Sequence, residues 1–219
     1  MPLPGTVQPA PTGSLGFDAD TAITANVAQL FAGQGYAFCV RYLSLGHGQR
    51  RADLSTAEGE AILGAGLALM AVQHVRKAGW SPAEAMGTND GTNAALNATA
   101  IGFPPGVNIW CDLEGVNQAT VAQDVIDYCK AWHAAVLAAG FVPGLYVGAN
   151  AILTGQQLYD LPFKHYWKSE SKVPAIPVRG YQMIQTLEPA PVNGIGIDKD
   201  VTQTDLLGGQ ALWLSTQKE

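Results

Sequence analysis

Two carboxylates two positions apart, Asp112 and Glu114, stand in the run Ile109-Trp110-Cys111-Asp112-Leu113-Glu114. Side chains alternate across an extended segment, so both acids share a face with Trp110, while Ile109, Cys111 and Leu113 turn the other way. The device recurs near the C-terminus, where Asp198 and Asp200 share one face of Ile197-Asp198-Lys199-Asp200-Val201, and Gly16-Phe17-Asp18 ends in a fifth acid. Brought to one end of a fold, these carboxylates would crowd a single cleft. Like charges in a partly desolvated cleft raise at least one pKa, which keeps a carboxylic acid protonated near neutral pH.

Such a cluster supports two chemistries. In glycoside hydrolysis a protonated carboxyl donates to the leaving oxygen while a second carboxylate stabilises the developing positive charge. In a Mg²⁺ or Ca²⁺ site the same oxygens are ligands. Tyr42, Tyr146, Trp167 and Tyr181 tip the balance towards sugar, because pyranose rings stack on aromatic faces and leave a polar handle for hydroxyls. A metal site would more often include histidine, and of His47, His74, His133 and His165 only His74 closes an apolar run. No metal and no cofactor is therefore expected.

The elements that must position these groups alternate along the chain. Strand candidates are Leu15 to Asp18, Tyr36 to Leu43, Leu67 to Val75, Val107 to Leu113, Val142 to Val147, His165 to Trp167, Tyr181 to Ile184 and Ile195 to Val201. Helical patterns follow the first five. Ser55 and Glu58 have the spacing of a capping box, Ser81-Pro82-Ala83-Glu84 marks another helix start, and Thr88 to Asn93 reads as an Asn/Gly loop before an Ala-rich stretch. Strands alternating with helices imply parallel pairing with crossovers.

The polar residues gather where the runs end: Asp18, Arg41-Tyr42, Gln73-His74, Asp112 with Glu114, Tyr146, Trp167-Lys168, Gln182 with Gln185, and Asp198 with Asp200. A (β/α)₈ barrel brings all strand ends to one mouth, where active sites sit. A doubly wound sheet would place a glycine-rich turn after its first strand, and none follows Asp18. The expected fold is α/β: a compact (β/α)₈ TIM-like barrel with abbreviated helices in its C-terminal half. Residues 1–13 read as a Pro-rich N-terminal arm and 14–219 as one barrel domain.

Composition fits that size and excludes other classes. A chain of 219 residues suits a single barrel, though a short one against the roughly 250 of a typical example. Charged residues make up only 14%, against a usual figure of about 25%, which excludes disorder and charge-laced coiled coils. A net charge of −6 with no basic stripe makes nucleic acid an improbable partner. No apolar run reaches the ~20 residues of a membrane span, and MPLPGTVQPAPTGS does not read as a signal peptide. Cys39, Cys111 and Cys129 lack C-x-x-C spacing and read as buried thiols. A monomer is expected.

With those residues in hand, the chain resembles a bacterial glycoside-hydrolase-like TIM-barrel family related to the family 25 glycoside hydrolases, the N-acetylmuramidases or lysozymes that cleave peptidoglycan. The matching stretches are Gly16-Phe17-Asp18, Phe38 to Leu43, Val107 to Gly115, Gly144 to Val147, Tyr181-Gln182 and Gly196 to Val201, spanning about residues 14–205. The resemblance implies that Glu114 is the general acid. It implies that Asp112 orients the substrate's 2-acetamido group or stabilises the cationic intermediate, and that Asp18 and Asp198 complete an acidic floor. Asp200 stands where the muramidases more often carry Asn. Tyr42, Gln73, Tyr146, Trp167, Gln182 and Asp200 are the expected substrate-binding residues.

The expected function is cleavage of peptidoglycan or a related N-acetylated glycan. Such a substrate places the action outside the cytoplasm, as a phage-type lysin or a secreted cargo. Two alternatives stand beside it: a catalytically silent glycan-binding barrel, and a divalent-metal-dependent phosphoester hydrolase. An acidic protein gains no electrostatic steering towards an anionic cell wall.

Overall fold

The computed structural model describes residues 2–217. Ten strands and five helices follow one another as β1 (Thr6–Pro9), β2 (Leu15–Ala19), α1 (Ala25–Gly33), β3 (Phe38–Leu43), α2 (Thr56–Gly64), β4 (Ala68–Gln73), α3 (Glu84–Ile101), β5 (Asn108–Leu113), α4 (Ala122–Ala138), β6 (Val142–Val147), α5 (Gly155–Asp160), β7 (His165–Lys168), β8 (Met183–Leu187), β9 (Asp198–Thr202) and β10 (Leu212–Ser215). Strands β2 to β9 close into an eight-stranded barrel, with β9 against β2 and β4 against β5. Every expected strand is present and helices follow only the first five, so the compact barrel with a reduced C-terminal half is what forms.

The alternation of side chains divides the interior in two. Phe38, Val40, Met70, Val72, Trp110, Tyr146, Trp167 and Met183 fill the barrel. Phe17, Leu43, Leu69, Ile109, Leu113, Leu145 and Tyr166 face outward into a second apolar layer beneath the helices. Two barrel glycines, Gly16 and Gly144, lie under the Phe38 and Trp110 rings, where any Cβ would collide. The three cysteines are buried and unpaired.

Four features depart from expectation. First, β9 runs antiparallel to both of its neighbours, whereas β2 to β8 are parallel throughout. Only residues 188–197 join β8 to β9, and a parallel crossover needs a dozen residues or more. Asp198 and Asp200 therefore enter the mouth from the beginning of their strand, not from its end.

Second, the Pro-rich N-terminal segment carries a strand that sequence periodicity does not show. β1 pairs antiparallel with β10, Leu3 and Ala10 are buried, and β10 touches β4 through Leu214↔Leu69. At that end β4 and β5 have not yet paired, since their register begins at Ala71↔Ile109. β10 fills the gap, its Leu212 N–H donating to Asn108 Oδ1 at 2.5 Å.

Third, Thr88 to Asn93 lies inside α3. Its glycines serve helix packing: a Cβ on Gly87 or Gly91 would strike the α4 backbone at Tyr128 or Trp132. Of its polar residues Asp90 and Asn93 are buried, as is Asn97 one turn on, while Thr88, Asn89 and Thr92 are exposed. Asp90 takes an Arg76 ion pair at 2.7 Å, and Asn97 donates to the Ser44 and Gly46 carbonyls at 3.1 and 2.9 Å.

Fourth, the capping box on α2 is half-formed. Ser55 Oγ accepts from the Glu58 N–H at 3.2 Å, but the Glu58 carboxylate turns to Arg41 Nε at 2.6 Å and the Ile23 N–H at 2.7 Å. Arg41 is wholly buried and also donates to the Ala19 and Ala52 carbonyls. This knot fixes the loop after β2, on which the Asp18 side of the mouth depends.

Candidate active site

At the end of the barrel where β2 to β8 terminate, the acids of three strands meet. Asp18 and Asp198 are direct partners across the β2–β9 pair, and Asp200 lies opposite Gly16, over which the Phe38 ring packs. Asp112 reaches the cluster from β5, and Glu114 from the residue just past it. The mouth opens over a cavity of about 330 Å³ whose lining includes Asp18, Asp20, Tyr42, Ile197 and Asp198.

Asp18 is 4% exposed and holds two donors: the Gln185 amide reaches Oδ2 at 2.7 Å and the Tyr42 hydroxyl reaches Oδ1 at 3.2 Å. Gln185 in turn accepts the Tyr146 hydroxyl at 2.8 Å. This chain ties β3, β2, β8 and β6 together across the mouth. Burial and the Asp198 charge nevertheless win over these donors and push the Asp18 carboxyl up to about 7.

Asp112 is buried and its Oδ1 has no hydrogen-bond partner, a costly state for an ionised oxygen. Burial, with Glu114 and Asp18 nearby, holds its carboxyl well above the usual range. Glu114 is more open. Burial and the Asp198 charge raise it as well, so a proton donor is available at higher pH than a free glutamate allows.

The backbone around Glu114 is shaped to its side chain. Trp80 Nε1 donates to its carbonyl at 2.8 Å, and the next residue, Gly115, adopts a left-handed φ of 64°. Gly148, at the end of β6, lies against the Glu114 side chain; a Cβ there would collide with Glu114 Cβ and come within 2.6 Å of Oε2.

Not every expected site residue reaches the mouth. Gln73 points out of the barrel, where Trp132 Nε1 donates to its Oε1 at 2.8 Å and its amide donates to the Asp90 carbonyl at 2.7 Å. Gln182 also points outward, accepting the Tyr166 N–H at 2.6 Å and donating to the Lys164 carbonyl at 2.9 Å. Both are structural hydrogen-bonding groups of the outer layer. Trp167 and Asp200 do face inward, but at 1% and 0% exposure they form the floor beneath the cavity, joined by a 2.8 Å bond from Trp167 Nε1 to Asp200 Oδ1. Tyr42 and Tyr146 stand at the mouth as expected. Tyr42 stacks on the His74 ring at 4.5 Å, and His74 is held by Asp53 at 2.8 Å.

Gln185, named among the strand-end polar residues but not among the expected site residues, and Gly148, which residue types do not single out, both contact the acids of the mouth. Gln185 has the parity of Met183, which is apolar and fills the barrel, and that parity is the signal that separates it from Gln182. Among the described residues, no group of three or more His, Cys, Asp and Glu side chains is arranged to hold a metal ion. The arrangement instead holds several carboxyls above the usual carboxylate range, Asp18 at about 7, beside a polar cavity lined by the Tyr42 hydroxyl.

Comparison with known proteins agrees with this picture. A family model described as Rv2525c-like, glycoside hydrolase-like domain matches residues 29–202. The chain has no significant match among curated proteins. Among solved structures it is similar to the Mycobacterium tuberculosis Tat-secreted protein Rv2525c in complex with L-tartrate, at 16% identity and a TM-score of 0.64 over 88% of this chain and 96% of that one. It is also similar to the bacterial lysozyme from Streptomyces coelicolor (14% identity, TM-score 0.57, 88% and 93% covered). A muramidase from Trichobolus zukalii shares the fold at 15% identity and a TM-score of 0.58, with 86% and 93% covered.

Proposed function

Since the chain belongs to the family of Rv2525c-like, glycoside hydrolase-like domains, we propose that it is a glycosidase of the lysozyme-like, N-acetylmuramidase class, cleaving peptidoglycan or a related N-acetylated glycan. The observation that carries the reading is the placement of Glu114 and Asp112 on the inner face of β5 and its extension, both with carboxyls raised by burial and by neighbouring acids.

Glu114 donates its proton to the glycosidic oxygen as the bond to the anomeric carbon breaks. Asp112, two positions earlier on the same face, orients the 2-acetamido group or stabilises the cation that develops at that carbon. Water then adds to the anomeric carbon and its proton returns to Glu114. Asp18, Asp198 and Tyr42 line the cavity in which the sugar is held, and Tyr146 is linked to Asp18 through Gln185. The reading places the protein's action outside the cytoplasm, where such glycans lie.

One observation favours a second reading. The cavity is lined by Asp18 and Asp198 but by neither Asp112 nor Glu114, so a sugar could be held there without engaging the acid. That describes a glycan-binding barrel without turnover. Release of reducing ends from purified murein decides between them: the hydrolase releases them and Glu114→Gln does not, while glycan affinity survives in the variant. Binding without release by the wild type would leave only the second reading.

A further inference from the structure

Asp200 is the one acid of the cluster that the proposed reaction leaves without a part. It is wholly buried, its Oδ1 accepts from Trp167 Nε1 at 2.8 Å, and its Oδ2 has neither solvent nor a protein N–H or O–H donor. Across the β2–β9 pair Asp18 stands opposite Asp198 and Asp200 opposite Gly16, so the Asp18 and Asp200 carboxyls are diagonal neighbours on the inner face, within reach of one another. Two carboxyl groups can touch in a dry interior only if a proton lies between them, because two ionised ones would repel with no water to screen them.

We propose that Asp18 and Asp200 form a carboxylate–carboxylic acid pair joined by one proton carried on Asp200 Oδ2, which makes Asp200 a positioning residue that donates upward to Asp18. The asymmetry follows from the partners. Asp18 accepts from Gln185 and Tyr42 and borders the cavity, so it can bear charge; Asp200 has a single donor and no access to water. With the proton from Asp200, the Asp18 carboxylate holds three donors and its orientation is fixed. The first proton leaves the pair near neutrality, at the value of about 7 to which Asp18 is pushed, and burial beside Asp18 holds the Asp200 carboxyl well above the usual carboxylate range. The other titratable groups facing the pair are Tyr42 of β3, Asp112 of β5 with Glu114 just beyond, Tyr146 of β6 and Asp198 of β9; Trp167 of β7 and Gln185 of β8 close the ring without charge. The part this pair has in turnover rests on the glycosidase reading; the position of the proton does not.

The test is a pH titration of protein labelled with ¹³C at the aspartate side-chain carboxyls, followed by NMR, in wild type, Asp200→Asn and Asp200→Leu. Above neutrality the wild type should show a protonated carboxyl that is missing from Asp200→Asn. The amide keeps a donor towards Asp18, so the Asp18 titration should stay in place in Asp200→Asn and move upward in Asp200→Leu, which has none. Were Asp200 ionised instead, Asp200→Asn would remove a negative charge and drop the Asp18 titration by about a unit or more, overturning the proposal. An ionised Asp200 signal in the neutral wild type would overturn it as well. If the leucine variant does not fold, the wild type and the asparagine variant still decide.

Discussion

Gln185 donates to Asp18 at 2.7 Å from a strand 167 positions further along the chain, and this bond spans the mouth from β8 to β2 past the antiparallel β9. It stabilises the charged form of Asp18 against the burial that opposes it. Gln185→Leu is therefore expected to raise the Asp18 titration above its wild-type position near 7, and the labelled-carboxyl spectrum reads the shift directly.

Stability should carry the mark of Asp18 in its pH dependence. The folded-state pKa is raised from 3.8 to about 7, so the folded state binds the proton more tightly, and its contribution is complete below about 4 and lost as pH climbs through 7. The size is on the order of 4 kcal/mol, at 1.36 kcal/mol for each unit. His165, pushed down to about 4 by burial, acts in the opposite sense, adding stability as pH rises towards 6.5. The difference between wild type and Asp18→Asn isolates the aspartate: denaturant midpoints of the two should diverge steadily between pH 4 and 7, and parallel curves would refute the assignment.

Gly148 guards the position of Glu114. Gly148→Ala places a methyl group against Glu114 Cβ and Oε2, and displacing a catalytic group by about 1 Å can cost about 10²-fold in rate. Murein turnover should fall by that order, measured at a temperature where circular dichroism shows the variant folded. An unaffected rate would show that Glu114 does not act from the orientation seen here.

Arg41→Met should be among the most destabilising single changes. It leaves Glu58 buried at 8% exposure without its cation and removes donors from the Ala19 and Ala52 carbonyls. Breaking such a buried pair costs about 3–5 kcal/mol. For a chain of this size that is a loss of roughly 6–20 °C in thermal midpoint, readable by calorimetry.

Much of this architecture was legible because its strands are short, apolar and bounded. All eight barrel segments announce themselves by composition, and the parity of Asp112 and Glu114 with Trp110 holds in the folded barrel. What escaped was decided by tertiary context. Thr88 to Asn93 looks like a loop because glycine and asparagine are poor helix formers, yet Gly91 packs closely on α4 and the Asp90 and Asn93 side chains are buried with partners. Gln73 and Gln182 end apolar runs as a mouth residue would, but each falls on the outward parity. The direction of β9 depends on the length of a connection, and β1 and β10, four residues each, are too short to show a period.

The strand that seals the barrel is made only after every strand it closes. β10 closes the gap between β4 and β5, and its outer edge is in turn covered by β1, from the opposite end of the chain. Until residues 212–215 have left the ribosome, the seam at Asn108 stays open and β1 has no partner. Closure of the seam is consequently a late event, in which β1 and β10 meet over a cylinder already wound between them.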